Sequence, residues 1–142
     1  MGNMKKRNSS SILLKVVLLF NICLACTTAI YAQSKPWAVP QKALDIKNPL
    51  TPDQATITNG KSLYMTYCSP CHGTSGKGDG AASASLSVKP ANHTSAAIQA
   101  EPEGSLFYKI SEGRAPMPAY KSALSEAQRW SLVSYIKTLK KK

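Results

Sequence analysis

Cys68-Ser69-Pro70-Cys71-His72 carries the pattern C-x-x-C-H, and every other part of the chain takes its meaning from it. The pattern reads as a covalent attachment site for c-type haem. Two thiols flanking a two-residue spacer on one helical turn reach the same edge of a porphyrin, where they add across its two vinyl groups. His72 then lies under the iron. A neutral imidazole nitrogen is a good iron ligand, and the other ring nitrogen is expected to donate to a backbone carbonyl that fixes the tautomer. Two other uses of C-x-x-C do not suit this sequence. Zinc takes about four protein ligands, and no second Cys pair or H-x-x-x-H follows. A thioredoxin-like redox pair needs a βαβ setting, and nothing here alternates strands with helices.

The length of 142 residues suits one domain behind a leader over 1–32. Lys5, Lys6 and Arg7 form a basic start, Val16 to Ala25 is an almost unbroken apolar run, and Thr27, Thr28, Ala29 and Ala32 are small residues before a cut after Ala32. That is the layout of a secretory signal peptide. A retained anchor competes, since Ile12 to Ile30 could almost span a bilayer, although Lys15, Asn21 and the threonines weaken it. Lipidation of Cys26 is the third reading; the place three residues before it, usually Leu in such a site, holds Cys23. Cleavage leaves Cys68 and Cys71 as the only thiols of the mature chain, so no structural disulfide is expected. The expected location is the periplasm or the outer face of the cytoplasmic membrane, where thioether bonds prevent loss of haem.

Residues 33–55 read as a proline-rich arm. Pro36, Pro40, Pro49 and Pro52 recur among Trp37, Val39, Leu44 and Leu50, which argues against a helix or a central strand. The remainder, 56–142, reads as the haem domain. Ile57, Gly60, Leu63, Tyr64 and Tyr67 recur at steps of three and four, a helix that delivers Cys68 to the haem. Behind His72, Gly73-Thr74-Ser75-Gly76-Lys77-Gly78-Asp79-Gly80 has four glycines in eight residues. With no preceding strand and no Gly-Lys-Ser ending it is not a nucleotide loop; it suits backbone wrapped tightly around a porphyrin edge at positive φ.

Ala81 to Ala100 reads as loop, with a short turn near Ala96 to Gln99. It holds His93, read as an exposed loop residue with an axial role as the alternative. Glu103 to Glu112 reads as a short helix stopped by Gly113. Met117 follows between Pro116 and Pro118, a setting that excludes a regular helix and presents the thioether on a stiff loop as a sixth iron ligand. Met65 lies three residues before Cys68 on the same helix and could hardly reach the opposite face. The last helix starts at Ser125, with Gln128 completing a capping box, and runs to about Leu139. Its apolar stripe is Leu132, Val133, Ile136 and Leu139, and Lys140, Lys141 and Lys142 suit its negative end.

In this order the residues resemble a class I c-type cytochrome over about Thr56 to Leu139. Gly60, Tyr64 and Cys68 resemble the family's first helix, where a glycine and an aromatic cross the terminal helix; Leu132 and Tyr135 match the pattern on that terminal helix. His72 and Met117 match the proximal and distal ligands. The form resembles small bacterial monohaem cytochromes, including cytochrome subunits of respiratory complexes. The resemblance implies an all-α cytochrome c fold of about three to five helices wrapped around one covalent haem c. It implies a one-electron carrier in a respiratory chain, with cofactor-binding Cys68, Cys71, His72 and Met117 and iron between the last two.

The residues agree, because two strong axial ligands leave no open site for catalysis and a thioether raises the potential. The rivals are a non-diffusing subunit of a membrane oxidoreductase complex and a five-coordinate haem enzyme or sensor, the latter requiring Met117 to be displaced. The leader holds four of the 18 Lys and Arg residues and none of the seven acidic ones, so the mature chain carries a formal charge of +7. Lys77, Lys89, Arg114 and Lys121 lie near the ligand motifs in sequence, which suits redox donors and acceptors with an acidic docking surface. General solubility is the bland alternative. The protein is expected to act as a monomer. Nucleic acid is disfavoured by export and by the lack of basic residues interleaved with aromatics, and membrane association would come through an uncleaved or lipidated leader.

Overall fold

The computed structural model describes residues 36–140. The leader over 1–32, with Cys23 and Cys26, and the tail residues Lys141 and Lys142 lie outside the described residues. Residues 36–38 belong to one unit and have no regular structure; a compact unit begins at Val39.

Among the described residues there are six α-helices and no strand: α1 Gln41–Leu44, α2 Gln54–Tyr67, α3 Ser69–His72, α4 Ala96–Ala100, α5 Glu103–Glu112 and α6 Glu126–Thr138, with a 3-10 turn at Ser83–Ser85. Three of the six are full helices of 14, 10 and 13 residues, and three are single turns. Asp53 caps α2 by accepting from the Thr56 amide at 2.8 Å. Ser125 and Gln128 form the expected capping box of α6, Gln128 Oε1 accepting from the Ser125 amide at 2.8 Å.

The core is the crossing of α2 and α6. Gly60 permits it: a Cβ there would meet the Ser131 carbonyl and come within 2.9 Å of Tyr135 Cβ. One turn on, Tyr64 is fully buried with its ring 5.2 Å from that of Tyr135. Leu132 and Val133 are fully buried beside it. Burial of such a side chain contributes roughly 1.5–3 kcal/mol, so this crossing is the main stabilising contact of the unit.

α6 is buried all round from Arg129 to Ile136, rather than along one stripe. Three neighbours share it. α2 lies on Ser131 and Tyr135; α5 supplies Ser111 to the Arg129 guanidinium and Phe107 to a 4.0 Å stack with Trp130. The segment before α2 supplies Asn48, whose amide donates to Ser134 Oγ at 2.9 Å.

The proline-rich segment differs from a plain extended arm. Pro40 serves as N-cap of the α1 turn, where a missing N–H costs nothing. Ala43 of that turn is buried against α5, whose Gly104 leaves no room for a Cβ beside the Ala43 carbonyl.

Candidate functional site

α2 ends at Tyr67, Cys68 is its C-cap, and the chain tightens into the α3 turn. The His72 amide donates back to the Cys68 carbonyl at 2.8 Å, which holds Cys68, Cys71 and His72 on one helical turn. The glycine-rich loop then wraps the motif. Amides of Gly78, Gly80 and Ala82 donate to the carbonyls of His72, Cys71 and Pro70 at 2.8, 3.1 and 2.9 Å. Gly78 has φ +78, and a Cβ on it would crowd the Pro90 carbonyl at 2.5 Å, so the wrap needs glycine there.

Both cysteines are unpaired. Burial first, and then Cys71 beside it, push the Cys68 thiol up to about 12. A redox-active C-x-x-C pair shows the opposite shift, and the described residues hold no strand for the βαβ setting that such a pair needs. Nor is there, among the described residues, a group of three or more His, Cys, Asp or Glu that could hold a metal ion.

His72 donates from Nδ1 to the Ala91 carbonyl at 2.9 Å, the bond expected of a ligating histidine. That assigns the proton to Nδ1 and leaves Nε2 with a free lone pair. Burial lowers the affinity of this ring for a second proton, against the opposing effect of the Ala91 bond, so the imidazole stays neutral.

Met117 lies on a loop pinned at both ends. Arg114 and Met117 exchange backbone hydrogen bonds of 3.0 and 2.9 Å, and the Tyr120 amide returns to the Ile110 carbonyl of α5 at 3.1 Å. The Tyr120 hydroxyl donates to the Tyr67 carbonyl at 2.8 Å, next to Cys68. Burial first, and then Cys68 and Cys71, push that hydroxyl up to about 12. The half-buried Met117 packs on the cluster that contains Cys68. The donor set of two free thiols, an imidazole nitrogen and a thioether therefore fits a thioether-bonded haem with its iron.

His93 differs from its sequence reading. It is buried rather than exposed, and its ring stacks on His72 with centroids 4.1 Å apart and planes 18° from parallel. No pattern in its loop announces this; the partner Ala91 acts through a backbone carbonyl, which has no sequence signal. Tyr120 could have been found, as an aromatic three residues after Met117.

The crossing of α2 and α6 over a C-x-x-C-H turn, with a proline-framed Met loop behind α5, is the architecture of a class I c-type cytochrome. A family model described as cytochrome C oxidase, cbb3-type, subunit III matches residues 55–136, and the chain belongs to that family. Its cofactor is covalently bound haem c with its iron, and a cytochrome c domain of this kind serves haem-based electron transfer. Among solved structures the chain is similar to one in a reducing HAO-like protein complex of Kuenenia stuttgartiensis, at 27% identity and a TM-score of 0.61. The match covers 78% of this chain and 53% of that one, so the present chain spans about half the length of its neighbour. No curated protein matches significantly.

Proposed function

We propose that the protein is an exported one-electron carrier whose haem is bonded through Cys68 and Cys71 and whose iron is held by His72 and Met117. When bound, that group supplies reversible one-electron exchange between ferrous and ferric iron. The observation that carries the assignment is the 2.9 Å bond from His72 Nδ1 to Ala91, which leaves Nε2 as the lone pair for iron. Met117 supplies the second ligand from a loop that the Arg114 pairing and Tyr120 keep in place. The face-to-face stack of His93 on His72 speaks against His93 as an opposed axial ligand, because two opposed ligands meet a metal end-on.

The domain boundaries that go with this reading are 1–32 leader, 33–55 arm and 56–142 haem domain. The leader places the mature protein in the periplasm or on the outer face of the cytoplasmic membrane. Among the described residues no helix is long and apolar enough to cross a membrane, so attachment there would use the leader. Finding the intact N-terminus in a soluble cytoplasmic fraction would contradict export.

A second reading is a non-diffusing subunit of a respiratory oxidoreductase. It is favoured by the family description and by the neighbour's membership of a complex. In either case the partners are redox proteins.

A redox titration followed optically tests the assignment. One reversible one-electron transition is expected, with a sulfur-to-iron band in the oxidised form and haem that resists acid and organic solvent. Haem extractable from the denatured protein, or a five-coordinate spectrum, overturns it.

A further inference from the structure

The ionisable ring that electron carriage leaves unused is His93, and its surroundings are those of a built site. Its amide donates to the Gly76 carbonyl at 2.6 Å, which ties it to the glycine-rich wrap. Its carbonyl accepts from Gln99 Nε2 at 2.7 Å, and the same amide group donates to the Ile136 carbonyl of α6 at 2.8 Å. The ring itself meets Tyr64 edge-on at 5.7 Å, with Nδ1 3.2 Å from the Tyr64 hydroxyl. That hydroxyl has one proton and donates it to the Gly73 carbonyl at 3.2 Å. His93 Nδ1 is then the donor to Tyr64, and the chain His93 to Tyr64 to Gly73 is satisfied at every member.

We infer that His93 is a positioning residue for the proximal imidazole: its flat face fixes the plane of the His72 ring, while the Ala91 carbonyl fixes its edge. This rests on His72 as an iron ligand. A single hydrogen bond at Nδ1 sets the tautomer but leaves the ring free to twist about the line to Ala91. A second ring 4.1 Å away and 18° from parallel, anchored to Gly76, Tyr64 and α6, removes that freedom. The ring plane matters electronically, because in a ferric low-spin haem the half-filled orbital follows the orientation of the axial imidazole. The contact shifts of the haem methyl groups in the proton NMR spectrum report that orientation directly.

The test compares ferric holoprotein as wild type, His93→Phe and His93→Leu. Both substitutes are apolar and fill the site, so both are expected to fold, and a purely structural role would move their thermal stabilities without moving the haem-methyl pattern. Phe keeps a flat face against His72 and should retain the wild-type order and spread of the methyl resonances. Leu offers no plane, and the pattern should shift or its spread collapse. A Leu pattern that coincides with wild type overturns the inference. Equal shifts in Phe and Leu overturn it too, since they would assign the effect to the Tyr64 hydrogen bond and not to the ring face. Ligation by His72 is read separately, from the wild type alone: without hyperfine-shifted axial imidazole resonances the carrier assignment fails before any variant is compared.

Discussion

The Tyr120 hydroxyl donates to the Tyr67 carbonyl at 2.8 Å, and so joins the loop that carries Met117 to the helix end that carries Cys68. Tyr67 is in the last turn of α2, where carbonyls lack an intrahelical partner. The two rings also meet edge-on at 5.8 Å. Because burial, the largest cause, pushes the phenol up from its ordinary value, it remains a donor across the working pH range.

Tyr120→Phe should therefore loosen Met117 while leaving the ring contact in place. The lost bond is worth about 1 kcal/mol. With Met117 as distal ligand, external imidazole should displace it roughly fivefold more readily, by the conversion of about 1.4 kcal/mol per tenfold. The measurement is loss of the sulfur-to-iron band on titration with imidazole, and an unchanged midpoint removes Tyr120 from the ligand loop's support.

Met117→Ala should abolish that band altogether and lower the reduction potential, because the thioether that favours ferrous iron is gone. Folding should survive, since Met117 is only half-buried on a loop. An unchanged spectrum would remove Met117 from the iron.

Gly60→Ala should destabilise the protein by about 3 kcal/mol, at the upper end of the cost of overfilling a packed core. A Cβ meets the Ser131 carbonyl, which is backbone and cannot swing away, and Tyr135 Cβ at 2.9 Å. At roughly 4–8 °C per kcal/mol for a unit of this size, the thermal midpoint should fall by more than about 10 °C. A shift of a degree or two would mean that α2 and α6 separate easily.

Asp53 gives a pH dependence with a definite sign. The Thr56 hydrogen bonds, the backbone one foremost, hold its carboxyl below the ordinary value. Stability from this cap is present above the unfolded-state carboxylate range of about 4 and is lost as pH falls through the lower folded value. The stability gap between wild type and Asp53→Ala in urea unfolding should be largest near neutral pH and should shrink in acid. A gap that widens in acid reverses the argument.

Legibility in the sequence tracked how local each cause was. The bounds of α5 and the capping box at Ser125 and Gln128 follow from residues that act on their own turn. The crossing at Gly60 was legible only through the resemblance, since Gly60 and Tyr64 match the glycine and aromatic of the family's first helix. Burial of His93 was not readable, since it depends on Gly76, Gln99 and Tyr64, which come from three separate segments. The α1 turn was masked by its prolines, which exclude a long helix but tolerate one turn that starts at Pro40. The all-round burial of α6 was hidden for the same reason as His93: Asn48 covers one side of it from more than 80 residues away.

The last prediction concerns the charge around the ligand motifs, where the neighbourhood differs from a simple ring. Lys121 lies 3.3 Å from Glu112, so its field is partly offset, and although exposed pairs of this kind are weak, a distant partner sees the pair as nearly neutral. Lys77 and Lys89 are exposed, and Pro90 beside Lys89 approaches Gly78 beside Lys77, so these two cations belong to one patch. The C-terminal helix joins them, since a Cβ on Gly76 would come within 2.9 Å of Leu139, next to exposed Lys140. Lys140 is thus close in the chain to a residue that packs on the proximal loop. Electron transfer to an anionic small-molecule oxidant should slow as salt rises, and transfer to a cationic one should quicken, because screening acts within about 10 Å at moderate ionic strength. Lys77→Glu should slow the anionic reaction roughly two- to fivefold at low salt, as rim charges act on encounter rates. Lys121→Glu should change it much less, given its partner. Flat salt curves for both oxidants would assign the positive charge to solubility alone, and equal effects of Lys77→Glu and Lys121→Glu would show that net charge, rather than this patch, sets the rate.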